Sequence, residues 1–64
     1  MKWIEVTDKM PEPRKDVLTI DMRRPKPYIS IEYTDSEGEW FGDHYGPFSP
    51  THWMPLPEFP ELVN

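Results

Sequence analysis

"YISIEY", residues 28–33, is the stretch on which the fold turns. Ile29, Ile31 and Tyr33 alternate with Tyr28, Ser30 and Glu32, a repeat of two that sets each group on its own face of a β-strand. The preceding stretch "VLTIDM" (17–22) repeats the pattern, with Leu18, Ile20 and Met22 alternating with Val17, Thr19 and Asp21. Between the two, "RRPKP" (23–27) reads as a loop, because Pro25 and Pro27 cannot donate to a strand ladder.

On the far side, "DSEG" (35–38) leads into "EWFGDHY" (39–45). Gly38 suits the positive φ that closes a hairpin with a bulge after a type I turn. The third strand sets Phe41 and Tyr45 on one face and Trp40 and His44 on the other, so aromatic periodicity leaves its inward side open. Gly42 and Gly46 permit another segment to come close. At the ends, "WIEV" (3–6) and "THWM" (51–54) are short candidate strands, the first followed by Pro11 and Pro13 and the second by Pro55, Pro57 and Pro60. No segment has the spacing of an amphipathic helix. The expected architecture is mainly β: one small domain over residues 1–64, with a three- to four-stranded antiparallel sheet and proline-rich terminal segments packed over one face. Its expected core is Trp3, Leu18, Ile20, Ile31, Trp53, Met54 and Leu56, with the two tryptophans over Ile20 and Ile31.

A 64-residue chain has a thin stability margin, since a domain of this size buries only about 60% of the surface it exposes when unfolded. Without cysteine it has neither a disulfide nor a thiolate metal site to add to that margin. Aromatic bulk, proline stiffness or a partner subunit must supply it. No apolar run approaches the length of a membrane span and no basic start leads into an apolar signal segment, so a soluble, cytoplasmic protein is expected. The net charge is −5. Every Lys and Arg lies within residues 1–26, whereas Glu32, Asp35, Glu37, Glu39, Asp43, Glu58 and Glu61 follow with no basic residue among them.

The two ends of the chain carry a likeness. "WIEVTDKMPEP" (3–13), "VLTI" (17–20) and "HWMPLPEFP" (52–60) together resemble a small uncharacterised domain family of phages, prophages and bacterial genomes. Trp3, Ile4, Pro11, Val17, Leu18, His52, Trp53, Met54, Pro55, Leu56 and Pro57 match its pattern, Met10 stands where Leu is usual, and "RKD" (14–16) lacks a glycine often found there. The resemblance implies a compact β fold and a phage or prophage origin, and it supplies no catalytic residues.

Candidate chemistry is sparse. His52 sits between Thr51 and Trp53, where an imidazole bonded to a backbone carbonyl or carboxylate at the core edge is the plain reading. His44, Asp43 and His52 match no metal-ligand spacing, and no serine has a nucleophile motif around it, so neither a metal, a cofactor nor an enzyme is expected. "PLPEFP" (55–60) has a PxxP register but no basic anchor, which favours a stiff tail over a recognition ligand. The expected function is binding to a host or phage protein through aromatic rings framed by acidic groups, with Tyr28, Trp40, Asp43 and Tyr45 as contacts. Homodimerisation through free strand edges is a second route to the same class. The rival is a nucleic-acid contact at Arg23, Arg24, Lys26 and Tyr28, disfavoured by the acidic remainder of the chain.

Overall fold

A computed structural model describes residues 2–42 and 48–58. The described residues form one antiparallel sheet of five strands with no helix: β1 (Ile4–Glu5), β2 (Val17–Ile20), β3 (Ile29–Thr34), β4 (Trp40–Gly42) and β5 (His52–Pro55), in the spatial order β1-β5-β2-β3-β4. The mainly-β expectation holds, with five strands where three or four were anticipated. The additional strands come from the ends. The "HWMP" stretch enters the sheet as an interior strand between β1 and β2, pairing Trp53 with both Ile4 and Thr19. Among the terminal prolines, Pro11 is buried while Pro13, Pro55 and Pro57 are exposed, and Pro60 lies outside the described residues.

Both hairpins follow from local chemistry. After β3, Gly38 N–H donates to the Asp35 carbonyl at 3.1 Å and Asp35 N–H to the Glu39 carbonyl at 3.0 Å, closing a type I turn followed by a bulge. Gly38 takes φ 82°, as that bulge requires. The Asp35 carboxylate accepts the amides of Glu37 and Glu39, each at 2.9 Å, which fixes the turn from its first residue. After β2, the Asp21 carboxylate accepts both the backbone amide of Arg23 at 3.0 Å and its guanidinium at 2.9 and 3.1 Å.

Register divides the residues between two faces, since directly opposed residues share a face. Thr19 opposes Ser30, Val17 opposes Glu32, and Thr34 opposes Trp40. This face is covered: Thr19 and Glu32 are 0% exposed, and Val17, Thr34, Ser30 and Trp53 are all buried. The β1–β2 connection passes on this side, where the Trp53 indole N–H donates to the Lys9 carbonyl at 2.7 Å and Pro11 is buried. Gly42 opposes Glu32, and a Cβ there would meet the Glu32 carboxylate and stand 2.8 Å from the Ile31 carbonyl oxygen. Glycine at φ 144° lets β4 close over that buried side chain.

The other face is open. Ile31 opposes Leu18, Ile29 opposes Ile20, and Phe41 opposes Tyr33. Ile31, expected in the core, is 48% exposed. Leu18, Ile20, Trp3 and Leu56 are half-buried, while Trp53 and Met54 are buried as expected. The two tryptophans do not meet over Ile20 and Ile31. Trp3 borders Ile20 on the open face, whereas Trp53 shares the covered face with Thr19. The reason is the route of the connecting chain, which passes on the side of the small polar residues, so that no second layer covers the isoleucines among the described residues.

Candidate functional site: the open face of the sheet

Strand alternation builds the site. β3 projects Ile29, Ile31 and Tyr33 to the open side, at 56%, 48% and 39% exposure. β4 adds Phe41, whose ring stacks on Tyr33 with centroids 5.7 Å apart and planes 25° from parallel. β2 adds Leu18 and Ile20, and β5 adds Met54 and His52. A groove of about 520 Å³ at one side is lined by Trp3, Ile20, Met22 and His52. A smaller one of about 260 Å³ lies at the other, lined by Arg14, Tyr33, Asp35 and Phe41. Large apolar side chains thus run side by side across adjacent strands, a density more typical of a covered surface.

His52 is held at the rim of the larger groove. Its Nδ1 lies 2.7 Å from the Thr51 hydroxyl, which itself donates to the Ile20 carbonyl at 3.2 Å and accepts the Met22 amide at 3.0 Å. The donor in the Nδ1–Thr51 contact follows the tautomer of the ring. The bonding partner is a neighbouring hydroxyl, where a carbonyl or carboxylate was expected. The histidine ties the start of β5 to the end of β2.

Of the residues expected to contact a partner, the two that are described lie apart. Tyr28 is 47% exposed just ahead of β3, with the Arg24 guanidinium 5.1 Å from its ring centroid. Trp40 is half-buried and belongs to the covered side, meeting the Phe48 ring edge-on at 6.5 Å. Asp43 and Tyr45, and with them His44, lie outside the described residues. The basic loop is partly committed to internal contacts. Arg23 is paired with Asp21 and also donates to the Ser49 carbonyl at 2.6 Å, and Arg24 occupies one face of the Tyr28 ring. The guanidinium bonds, and the positive charge behind them, hold the Asp21 carboxyl below its ordinary range, and Asp21 in turn raises Arg23. Lys26 remains exposed. No group of three or more His, Asp or Glu side chains is placed to hold a metal among the described residues.

Ile29, Tyr33 and Phe41 were missed as site residues because an apolar set in an amphipathic strand ordinarily marks the core. One signal was available: the sequence provides no helix and no further apolar strand to form a second layer.

The sheet and its open side define a class, a small all-β protein with one apolar face uncovered. Within that class the chain belongs to the family described as protein of unknown function (DUF551), whose model matches residues 2–61. Comparison with curated proteins and with solved structures gives no match. No helix among the described residues is long and apolar enough to cross a membrane.

Proposed function

We propose that this chain is a non-enzymatic interaction protein that binds a protein partner through the open face of its sheet. One observation carries the reading: Ile29, Ile31, Tyr33 and Phe41 lie on one side of two paired strands, each exposed by 39% or more. Apolar side chains left in water forgo about 25 cal/mol per Å² of burial, which a complementary surface recovers. The terminal sequence likeness supports a phage or prophage accessory protein acting in the host cytoplasm, with a host or phage protein as partner. The working surface therefore moves from the acidic-aromatic set Tyr28, Trp40, Asp43 and Tyr45 to the sheet itself, with Tyr28 at its border.

The nucleic-acid reading has less support, since Asp21 compensates Arg23 and Arg24 blocks one stacking face of Tyr28. To test the proposal, a photo-crosslinking side chain is placed at Ile31, or at exposed Glu12 as a control, and each variant is irradiated in host cells. A discrete protein adduct from position 31 and none from position 12 is expected. Equal labelling from both positions, or none from 31, would refute the open face as a binding surface.

A further inference from the structure

We infer that the partner covering this face is a second copy of the chain, packed sheet to sheet with its strands reversed, so that the basic hairpin of each copy lies over the acidic hairpin of the other. The inference rests on the reading of the open face as a binding surface and names its occupant.

Three observations carry it. First, the buried apolar side chains among the described residues are Val17, Trp53 and Met54, with Pro11 and Pro50, a small core for a chain without cysteine. A core of that size supplies little stability, and a disulfide, a metal or another subunit is a common addition to it. A second copy is the one partner always present at the chain's own concentration.

Second, the area is sufficient. Large side chains at the fractions found for Ile29, Ile31, Tyr33, Phe41 and Met22 each present on the order of 80–100 Å². With the half-buried Leu18, Ile20 and Trp3, and the hairpin loops at either end, the surface reaches about the 800 Å² per partner of a stable interface. Two such faces packed about 10 Å apart would form a β-sandwich whose shared interior is made of leucine, isoleucine and aromatic rings.

Third, the charge is complementary to itself. β3 runs from the loop holding Arg24 and Lys26, which Asp21 does not offset because it is paired with Arg23, to the turn holding Asp35, Glu37 and Glu39. At the basic end Glu5 and Asp8 oppose Lys9, so a smaller net positive charge remains there. At the acidic end Glu12, Arg14, Lys15 and Asp16 balance one another, as do Lys2 and Glu58. A two-fold axis in the interface and perpendicular to the strands lays β3 over its own copy in the opposite direction, so both ends join opposite charges. An axis parallel to the strands forms neither contact.

The test uses the full chain and a charge exchange. At roughly 100 μM the native chain is expected to show the mass of two copies by sedimentation, falling toward one on dilution. Ile31→Glu should weaken association by at least ~30-fold while its β-sheet circular dichroism persists. The double variants Arg24→Glu with Lys26→Glu, and Glu37→Lys with Glu39→Lys, should each be mainly monomeric, because each now sets like charges together at both ends. Mixing them should restore the dimer, since both ends of the mixed pair again join opposite charges.

A native chain that stays monomeric overturns the inference. If position 31 nevertheless crosslinks to another protein, the open-face reading survives with a different occupant. If removal of residues 59–64 is what permits dimerisation, the chain's own tail takes that place. A dimer that Ile31→Glu leaves intact points to edge pairing and also overturns the inference. Failure of the mixed variants to reassociate overturns the reversed-strand arrangement.

Discussion

The covered face of the sheet keeps Thr19, Ser30, Glu32 and Thr34 at 8% exposure or less, whereas the open face leaves Ile29, Ile31, Tyr33 and Phe41 between 39% and 56% exposed. Along β3 the polar groups are inside and the apolar groups outside, the reverse of the usual assignment. Val17 and Trp53 join the polar groups on the covered side. The polar side is stabilised by pairing: the Thr19 and Ser30 hydroxyls lie 2.9 Å apart across the strands, and Thr19 also reaches the Ser30 carbonyl at 3.3 Å. Buried polar groups with partners are cheap to keep, while an apolar face left in water is a standing reason to associate. Burial pattern alone therefore does not identify the stabilising side of a small sheet. Where the connections run decides it.

The contrast can be broken first at its largest contributor. Trp53 is 6% exposed and bonded to the Lys9 carbonyl, so Trp53→Ala should cost ~3–5 kcal/mol, read as a large fall in the urea midpoint or as failure to fold. Thr19→Val leaves the Ser30 hydroxyl without its cross-strand partner, for an expected loss of ~1–2 kcal/mol. Ile31→Lys, measured at a dilution where the mass is that of one chain, should stay within about 0.5 kcal/mol of the native protein. Equal losses at the two positions would show that the open face is packed in the isolated chain.

A smaller gain is expected where the covering connection meets the sheet. Arg14 holds φ 62° while its amide donates to the Thr34 carbonyl at 2.7 Å. The left-handed conformation costs a non-glycine residue about 1–2 kcal/mol, partly offset by the greater unfolded-state freedom of glycine. Arg14→Gly should thus raise stability by ~0.5–1 kcal/mol, seen as a higher melting temperature.

The smallest effect concerns pH. Hydrogen bonds from Arg23 hold the Asp21 carboxyl below 3.8, its ordinary value. A lowered folded-state value means that this contribution is complete at neutral pH. It is lost as pH falls from 3.8 through the lowered value, once Asp21 is protonated in the folded protein as well. Arg23 is 65% exposed, so solvent screens the pair. Asp21→Asn should therefore lower stability slightly at neutral pH and flatten the acid limb, so that the variant and the native protein converge below the lowered value.

Much of the local structure was legible. The alternation in "VLTIDM" and "YISIEY" located β2 and β3, and the Asp-to-Gly turn located the β3–β4 hairpin, because those features depend on neighbours a few residues apart. The terminal stretches were recognisable as short strands, but their place in the sheet was not. β5 lies between β1 and β2 because Trp53 pairs with both Ile4 and Thr19, far back in the chain, a relation that no local pattern contains. The candidate site was hidden for a related reason, since Ile29 and Ile31 carry the same pattern whether a second layer covers them or not.

By itself the sequence determined that this protein is built from β-strands, which residues share a face, and that its charge is basic early and acidic late. The tertiary structure alone decided that the Thr19–Trp53 face is the covered one and that the Ile29–Ile31 face is open. The physical reason is that a repeat of two separates residues into opposite sides without naming either as inside. Inside is set by long-range contacts, here the Trp53 indole on the Lys9 carbonyl and the passage of the β1–β2 connection over the hydroxyl-lined side.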